Sequence, residues 1–208
     1  MNLRWLGITA MLVTWSGSAG AKAVVVPPRP GQVGLSLQGQ YGTFLSQGPL
    51  GENFGAGPGL AVRVRYRMRY ERAIGLSFES QSFDARPSAR FTDVLTGLPL
   101  ATDDPLAPAT ATLIMSGVDL YKLFGTRTTT TRMLSAGAGL AQIHFTLNDK
   151  ETEYKPDGLY LSAGAGVERF FFGSWAWDVS GRYFAVFDDG STSHIFQASA
   201  GLVLYASY

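Results

Sequence analysis

The sequence lacks cysteine, is poor in charge and has no long apolar run after its first 25 residues. Without cysteine, neither a disulfide framework nor a thiolate metal site can form. Charged residues make up 16% of the chain, against about 25% in typical soluble domains. A transmembrane helix needs about 20 consecutive apolar residues, so membrane association beyond the N-terminus would require strands or a surface. The formal net charge of +1 argues against nucleic acid as the main partner.

The N-terminus has the three parts of a secretory signal peptide. Arg4 provides a positive start, residues 5–15 form an apolar run, and small residues follow. Cleavage after Ala21 and cleavage after Ala23 both satisfy the small-x-small rule. The apolar run is too short for a membrane-spanning helix, which disfavours the alternative of an uncleaved anchor. The sequence therefore predicts a signal peptide over 1–23, followed by a proline-rich, extended lead-in over 24–31.

Residues 60–68 alternate strictly between an apolar row and a row that, after Ala61, is basic. A period of two indicates a strand with two different faces. In a soluble sheet the basic row would face water, whereas in a membrane barrel the apolar row would face lipid and the basic row the lumen. The two rows are Leu60, Val62, Val64, Tyr66 and Met68 on one face, and Ala61, Arg63, Arg65 and Arg67 on the other.

The same alternation recurs along the chain in about eight segments of roughly 10–14 residues. The connections between them are alternately long (43–58, 84–110, 148–157 and 188–193) and short (68–71, 124–131 and 172–174). An even number of strands with long loops at one end and short turns at the other is typical of outer-membrane barrels. We therefore predict an all-β fold, a single up-and-down antiparallel transmembrane β-barrel of about eight strands over residues 32–208.

Two local features extend this prediction. In the fifth segment the apolar row changes parity between Leu140 and Ile143, which predicts a β-bulge near residues 140–142. Aromatic residues near the segment ends predict the interfacial girdles of a membrane barrel: Tyr41, Phe44, Tyr66, Tyr70, Phe170, Phe171, Phe172, Trp175, Trp177, Phe187 and Tyr208.

The last segment carries Ser199, Gly201, Leu204 and Tyr208 at the spacing of a terminal barrel strand. With the repeated Ser-Ala-Gly-Ala-Gly segments at 135–139 and 162–166, the chain resembles the small outer-membrane β-barrels, the OmpA/OmpX-type domains in the broad sense, over residues 32–208. No subfamily is indicated. The resemblance implies a location in the cell outer membrane, contact with its lipids, and recognition of the C-terminal strand by the barrel-assembly machinery.

Charged residues on the inward face form the candidate site. Because an unpaired buried ion costs several kcal/mol, and because eight strands leave an interior just wide enough for side chains, we expect a structural network that closes the lumen. The alternative is a narrow channel for small solutes. The candidate residues are Arg63, Arg65, Arg67, Arg182, Glu79, Asp119, Glu168 and Asp178.

An enzymatic alternative rests on His194 with Ser191, Ser193 and Asp188 or Asp189. Some small outer-membrane barrels are lipid A deacylases or acyltransferases, so the resemblance admits a lipid A-modifying acyl hydrolase. Nucleophilic catalysis needs its groups to converge, yet adjacent residues of a strand point to opposite faces. We therefore predict no catalytic site, and the two histidines, His144 and His194, indicate no metal site or cofactor.

The preferred hypothesis is thus a non-enzymatic outer-membrane barrel that acts through its structure and its loops. Loops 43–58 and 84–110 are the expected contacts for extracellular partners, and the acids Asp103 and Asp104 are expected to be solvated. A third hypothesis is a soluble, lipocalin-type barrel, with apolar residues inside and the arginine row in water.

Overall fold

The structure is a computed structural model that describes residues 28–45, 49–92, 99–100, 107–147, 151–152, 158–188 and 191–206. Within these residues the chain forms eight long strands and one short helix, α1 (Pro49–Asn53). A two-residue strand, Phe91–Thr92, pairs with Pro99–Leu100, and another, Glu151–Thr152, extends the sheet beside the fifth long strand. The long strands are β1 (Val33–Phe44), β2 (Ala56–Arg69), β3 (Arg72–Asp84), β4 (Pro108–Phe124), β5 (Thr130–Leu147), β6 (Gly158–Phe172), β7 (Trp175–Asp188) and β8 (Ser191–Tyr205).

Each long strand pairs antiparallel with its neighbours in sequence. The first and last strands also pair, from Gly34 opposite Tyr205 to Phe44 opposite Ile195, so the sheet closes on itself. The eight strands of the described chain therefore form a closed, up-and-down antiparallel barrel, and the predicted fold class is confirmed.

The two ends of the barrel differ. At the turn end, as we call it, residues 70–71, 125–129 and 173–174 connect the strands. Gly125 and Gly173 adopt positive φ values of 71° and 48° there, a conformation that glycine adopts without steric cost. The start of β1 and the end of β8 also lie at this end, where the Ala206 amide donates to the Val33 carbonyl at 2.8 Å. The longer connections and α1 lie at the opposite end, the loop end.

The barrel wall is apolar outside and polar inside. Leu60 is 62% exposed, whereas Arg67 on the same strand is 0% exposed. The same distribution occurs on other strands, with Leu37 and Val179 exposed and Gln38 buried. Because the apolar rows face outward, the lipocalin-type hypothesis, which required them inside, is wrong. A continuous exposed apolar surface of this kind marks a protein or membrane contact.

The predicted bulge in β5 is not present. Pairing with β4 is continuous from Thr110 opposite Thr146 to Phe124 opposite Arg132. Ala141 and Ile143 keep the inward parity and are buried. The change in the sequence pattern has another cause, since the lumen itself becomes apolar toward the loop end.

An apolar cluster fills the loop end of the lumen, and we call it the loop-end cluster. Phe54, which follows α1, packs into it, and the Arg86 guanidinium donates to the Phe54 carbonyl at 2.9 Å. The rings of Phe44 and Phe83 lie 4.3 Å apart. The buried members are Phe44, Phe54, Phe83, Ala111, Leu113, Met115, Ala141, Ile143, Tyr160, Phe184, Val186 and Ile195.

Two smaller apolar clusters fill the turn end, one formed by Ala73, Tyr121, Leu123 and Met133, the other by Phe170, Ala176, Val203 and Tyr205. The girdle prediction was therefore wrong for Phe44 and Phe170, which face the lumen. The other candidates within the described residues are exposed on the outer surface: Tyr41, Tyr66, Tyr70, Phe171, Phe172, Trp175, Trp177 and Phe187.

Several predictions concern residues outside the described ranges. These are the signal peptide over 1–23, the acids Asp103, Asp104 and Asp189, and the terminal Tyr208. The lead-in is described from residue 28, and its Gly31 amide donates to the Arg67 carbonyl at 2.7 Å. Among the helical residues that the structure describes, none forms a segment long and apolar enough to cross a membrane.

Candidate functional site: a charged network in the lumen

Strand β2 places three arginines in a row inside the barrel. Arg63, Arg65 and Arg67 alternate with outward residues, and each is at most 3% exposed. Residues two positions apart in a strand are about 7 Å apart. The row therefore distributes positive charge along the lumen axis rather than at one level, and acids are needed at several heights.

The first group of ion pairs is centred on Glu79. Its Oε1 lies 3.0 Å from Arg63 Nη2 and 2.6 Å from Arg182 Nη1. Arg182 also pairs with Asp119. Gln38 Oε1 accepts a hydrogen bond of 2.5 Å from Arg63 Nη1. Two cations and two anions balance in this group.

The second group is centred on Glu168. Its Oε1 lies 2.7 Å from Arg65 Nη1, and its Oε2 lies 2.8 Å from Arg67 Nη2. Arg65 Nη2 also lies 3.1 Å from Asp178 Oδ2. This group, like the first, has two cations and two anions. The structure thus brings all eight candidate residues together, and we call them the lumenal network.

Several of these ion pairs cross the whole lumen. Strands β2 and β6 lie on opposite sides of an eight-stranded barrel, and Glu168 of β6 pairs with Arg65 and Arg67 of β2. Strands β3 and β7 are also opposite, and Glu79 pairs with Arg182 across them. The network is therefore a brace between facing walls, as expected for a lumen that side chains fill.

Two tyrosines complete the network, although the sequence indicated only their inward direction. The Tyr205 hydroxyl donates to Glu168 Oε1 at 2.7 Å, and Arg67 stacks over the Tyr205 ring at 4.9 Å. The Tyr121 hydroxyl donates to Asp119 Oδ2 at 3.1 Å, and Arg65 stacks over the Tyr121 ring at 4.4 Å. Tyr121 therefore connects the two groups of ion pairs.

Inward glycines make room for these side chains. A Cβ on Gly137 would lie 2.9 Å from Ser162 Oγ and 3.0 Å from the Val118 carbonyl oxygen, and would also overlap Asp119. A Cβ on Gly164 would lie 2.7 Å from Arg182 Cγ. The lumen at this height is therefore packed, with no space for a further methyl group at either position.

The network balances charge inside the lumen. Its four guanidinium groups and four carboxylates are at least 97% buried, and burying ions is favourable only when they are paired. Within the described residues, no group of three or more metal-ligating side chains is positioned to hold a metal ion. The arrangement is suited to closing the lumen and holding the walls at a fixed separation.

An exposed ion pair outside the wall provides a contrast. Glu71 lies in the turn between β2 and β3, and its Oε2 is 2.6 Å from Nζ of Lys122 on β4. The hydrogen bond and the charge of Lys122 lower the pKa of the Glu71 carboxyl below its ordinary value. Both side chains are largely solvated, so this pair contributes little to stability.

The residues of the proposed C-terminal signal lie on β8. Ser199 is buried, and its hydroxyl is 2.8 Å from the Ser180 hydroxyl. Leu204 is exposed on the outer surface. A Cβ on Gly201 would lie 2.6 Å from Gln38 Cα, so β1 passes too close for a larger residue. The role of these residues in insertion stays a prediction.

Two residues of the enzymatic alternative, Ser193 and His194, do not converge. The Ser193 side chain is buried toward the lumen, whereas His194 lies on the outer face, with its Nδ1 2.6 Å from the Tyr183 hydroxyl. Ser193 and His194 therefore lie on opposite faces of β8, as the strand geometry requires.

No protein-family model matches the chain, and no curated protein matches its sequence. Solved structures do match, and they place the fold among the small outer-membrane barrels with eight strands. OprG from Pseudomonas aeruginosa matches with a TM-score of 0.59 at 8% identity, over 89% of this chain and 100% of that one. Neisserial surface protein A matches with a TM-score of 0.54 at 12% identity, over 83% and 96%. Ail of Yersinia pestis matches with a TM-score of 0.50 at 13% identity, over 84% and 99%. At these identities the likeness concerns the fold.

Proposed function

We propose that the protein is a non-enzymatic outer-membrane β-barrel that acts as a closed scaffold for its loops. The observation that carries this proposal is the inverted wall, with apolar side chains outside and a paired charge network inside. Such a surface is favourable in a bilayer and unfavourable in water. The closed sheet also favours a location in a bilayer, because it leaves no strand edge unpaired.

The side chains that fill the lumen favour a closed scaffold over a channel. Ion pairs cross the lumen between facing walls, and apolar clusters lie at both ends of the network. Ions would have to break these pairs and pass the apolar clusters. The loops at the loop end, including 43–58 and 84–110, are then the proposed contacts for extracellular partners. The C-terminal strand is the proposed contact for the assembly machinery.

Cell fractionation combined with conductance tests this proposal. We expect the protein in the outer-membrane fraction, with a mobility on detergent gels that changes on heating, as for folded barrels that resist detergent. In planar bilayers we expect no stable conductance above the bilayer background. Recovery from the soluble periplasm would disprove the membrane location, whereas stable conductance in correctly inserted protein would disprove the closed lumen.

A further inference from the structure

Exposed basic residues encircle part of the outer surface at the turn end. Side chains on five consecutive strands contribute, and we call them the basic belt: Arg69, Arg72, Lys122, Arg132 and Arg169. Within the part of the chain that the structure describes, Glu71 is the single acid exposed on the outer surface at this end. It pairs with Lys122, so the belt keeps a large excess of positive charge.

The register places three of these like charges beside one another. Arg69 is opposite Arg72, and Arg72 is opposite Lys122. Like charges in direct cross-strand register destabilise a sheet. Three basic residues are adjacent here and one acid is nearby, so their mutual repulsion is only partly compensated. An external anion bound at this surface would therefore stabilise it.

The belt lies at the height of the exposed aromatic residues. Arg169 is opposite Trp177 in register, and Phe172 and Trp175 follow at the adjoining turn. Exposed aromatics at the end of a barrel mark the boundary between hydrocarbon and water. In the proposed membrane location, the belt is therefore at the level of lipid headgroups.

An apolar groove begins at the belt. It has a volume of about 490 Å³ and is lined by Phe124, Arg132, Leu134, Ala165 and Val167, among others. Ala165 is opposite Leu134 in register, and its small side chain leaves a depression between larger neighbours. The volume is within the range of about 300–1,000 Å³ that is typical of small-molecule sites. Arg132 is the charged residue of this lining.

We propose that the belt and groove form a binding site for an anionic phospholipid. The phosphate would contact Arg132 and its basic neighbours, and one acyl chain would lie along Ala165 in the groove. A water-soluble polyanion would satisfy the charge but not the apolar lining, which favours the lipid. This inference rests on the proposed membrane location and adds a lipid class to it.

Quenching of tryptophan fluorescence by brominated lipids tests the site. Trp177 lies beside the belt and Trp175 lies at the adjoining turn, so tryptophan fluorescence reports which lipids contact this surface. We expect brominated phosphatidylglycerol to associate about fivefold or more strongly than brominated phosphatidylcholine, since one basic residue near an anionic surface contributes about 1 kcal/mol. Arg132→Gln should remove most of this preference. Ala165→Phe should reduce it by filling the groove while all charges remain.

The matched control is Arg90→Gln, which removes one exposed positive charge from the loop end and should leave the preference unchanged. Equal quenching by both lipids would overturn the lipid site but leave the membrane location intact. Quenching by neither lipid would instead disprove the membrane location, and the lipid site with it. Binding of heparin in detergent that depends on Arg132, without a lipid preference in vesicles, would assign the belt to a soluble polyanion and overturn the proposal.

Discussion

At the residue scale, Glu79 has the most demanding position in the lumenal network. One of its oxygens accepts from both Arg63 and Arg182. Arg182 has a second acid in Asp119, whereas Glu79 is the acid paired with Arg63 among the ion pairs of the described residues. Neutralising Glu79 would leave the Arg63 guanidinium buried without a counter-charge.

We therefore predict that Glu79→Gln lowers the free energy of unfolding by about 3–5 kcal/mol, the usual cost of removing one partner of a buried ion pair. Urea unfolding of the protein in detergent micelles, followed by tryptophan fluorescence, measures this change. The double variant R63Q/E79Q should be more stable than the sum of the two single changes predicts, because it leaves no unpaired charge from this pair.

Glu71→Gln is the matched control, since it removes an acid from an exposed pair. Glu71→Gln should lower the free energy of unfolding much less than Glu79→Gln does. The lowered pKa of Glu71 means that the pair stabilises the fold at neutral pH, and that this contribution disappears as the pH falls through the lowered pKa. Equal effects of the two substitutions would contradict the structural role of the lumenal network.

The sequence predicts the direction of the network side chains but not their partners. Strict alternation in β2 is sufficient to place Arg63, Arg65 and Arg67 on one face. Pairing of Arg65 with Glu168, 103 positions away in sequence, depends on the tilt and stagger of the strands in the closed barrel. Strand parity contains no information on this stagger.

At the element scale, the two Ser-Ala-Gly-Ala-Gly segments show how β5 and β6 fit the barrel. In both, the alanines are exposed on the outer face, while the serine and glycines point toward the lumen. Gly137 of β5 lies beside Ser162 of β6 and Asp119 of β4. The small inward residues let the strands approach the network side chains.

We predict that Gly137→Leu prevents formation of the native barrel in a large fraction of the protein, because the added side chain would displace Asp119 and Ser162. Overpacking of this kind commonly costs about 1–3 kcal/mol. Ala138→Leu is the control, since it adds the same bulk on the outer face of the same strand. The fraction of protein with heat-modifiable mobility measures the difference. Similar fractions for both variants would show that the lumen has spare volume at this height.

The mistaken bulge in β5 has a clear physical origin. A barrel strand was expected to be polar inside along its whole length, so inward Ala141 and Ile143 resembled a change of face. They instead belong to the loop-end cluster, whose other members come from other strands and from the segment after α1. Hydrophobic periodicity within one strand cannot distinguish an apolar lumen from apolar contact with lipid.

At the scale of the whole molecule, the lumen is layered. The loop-end cluster lies above the lumenal network, and two apolar clusters lie below it. Between the loop-end cluster and the network, Gln197 donates to Gln81 at 3.0 Å. Apolar, polar and charged layers therefore follow one another along the barrel axis.

This arrangement predicts that opening one layer does not open the barrel. Phe54→Ala removes a buried aromatic ring from the loop-end cluster and should lower stability by about 3–5 kcal/mol, yet leave the conductance in planar bilayers at background. Phe78→Ala, which removes an exposed ring from the outer face, is the control for loss of a phenyl group. Stable conductance of Phe54→Ala alone would show that the lumenal network is not a barrier to ions.

The seam between β1 and β8 has a consequence for the order of folding. Gly34 and Tyr205 are partners, although nearly the entire barrel lies between them in sequence. Closing so long a loop is entropically costly, whereas the hairpins of neighbouring strands form between nearby residues. We therefore expect the seam to form last, when the hairpins already exist as an open sheet. The ion pairs that cross the lumen form completely only in that final step. Opening of the closed barrel must break them, so we expect them to lower the rate at which the seam opens.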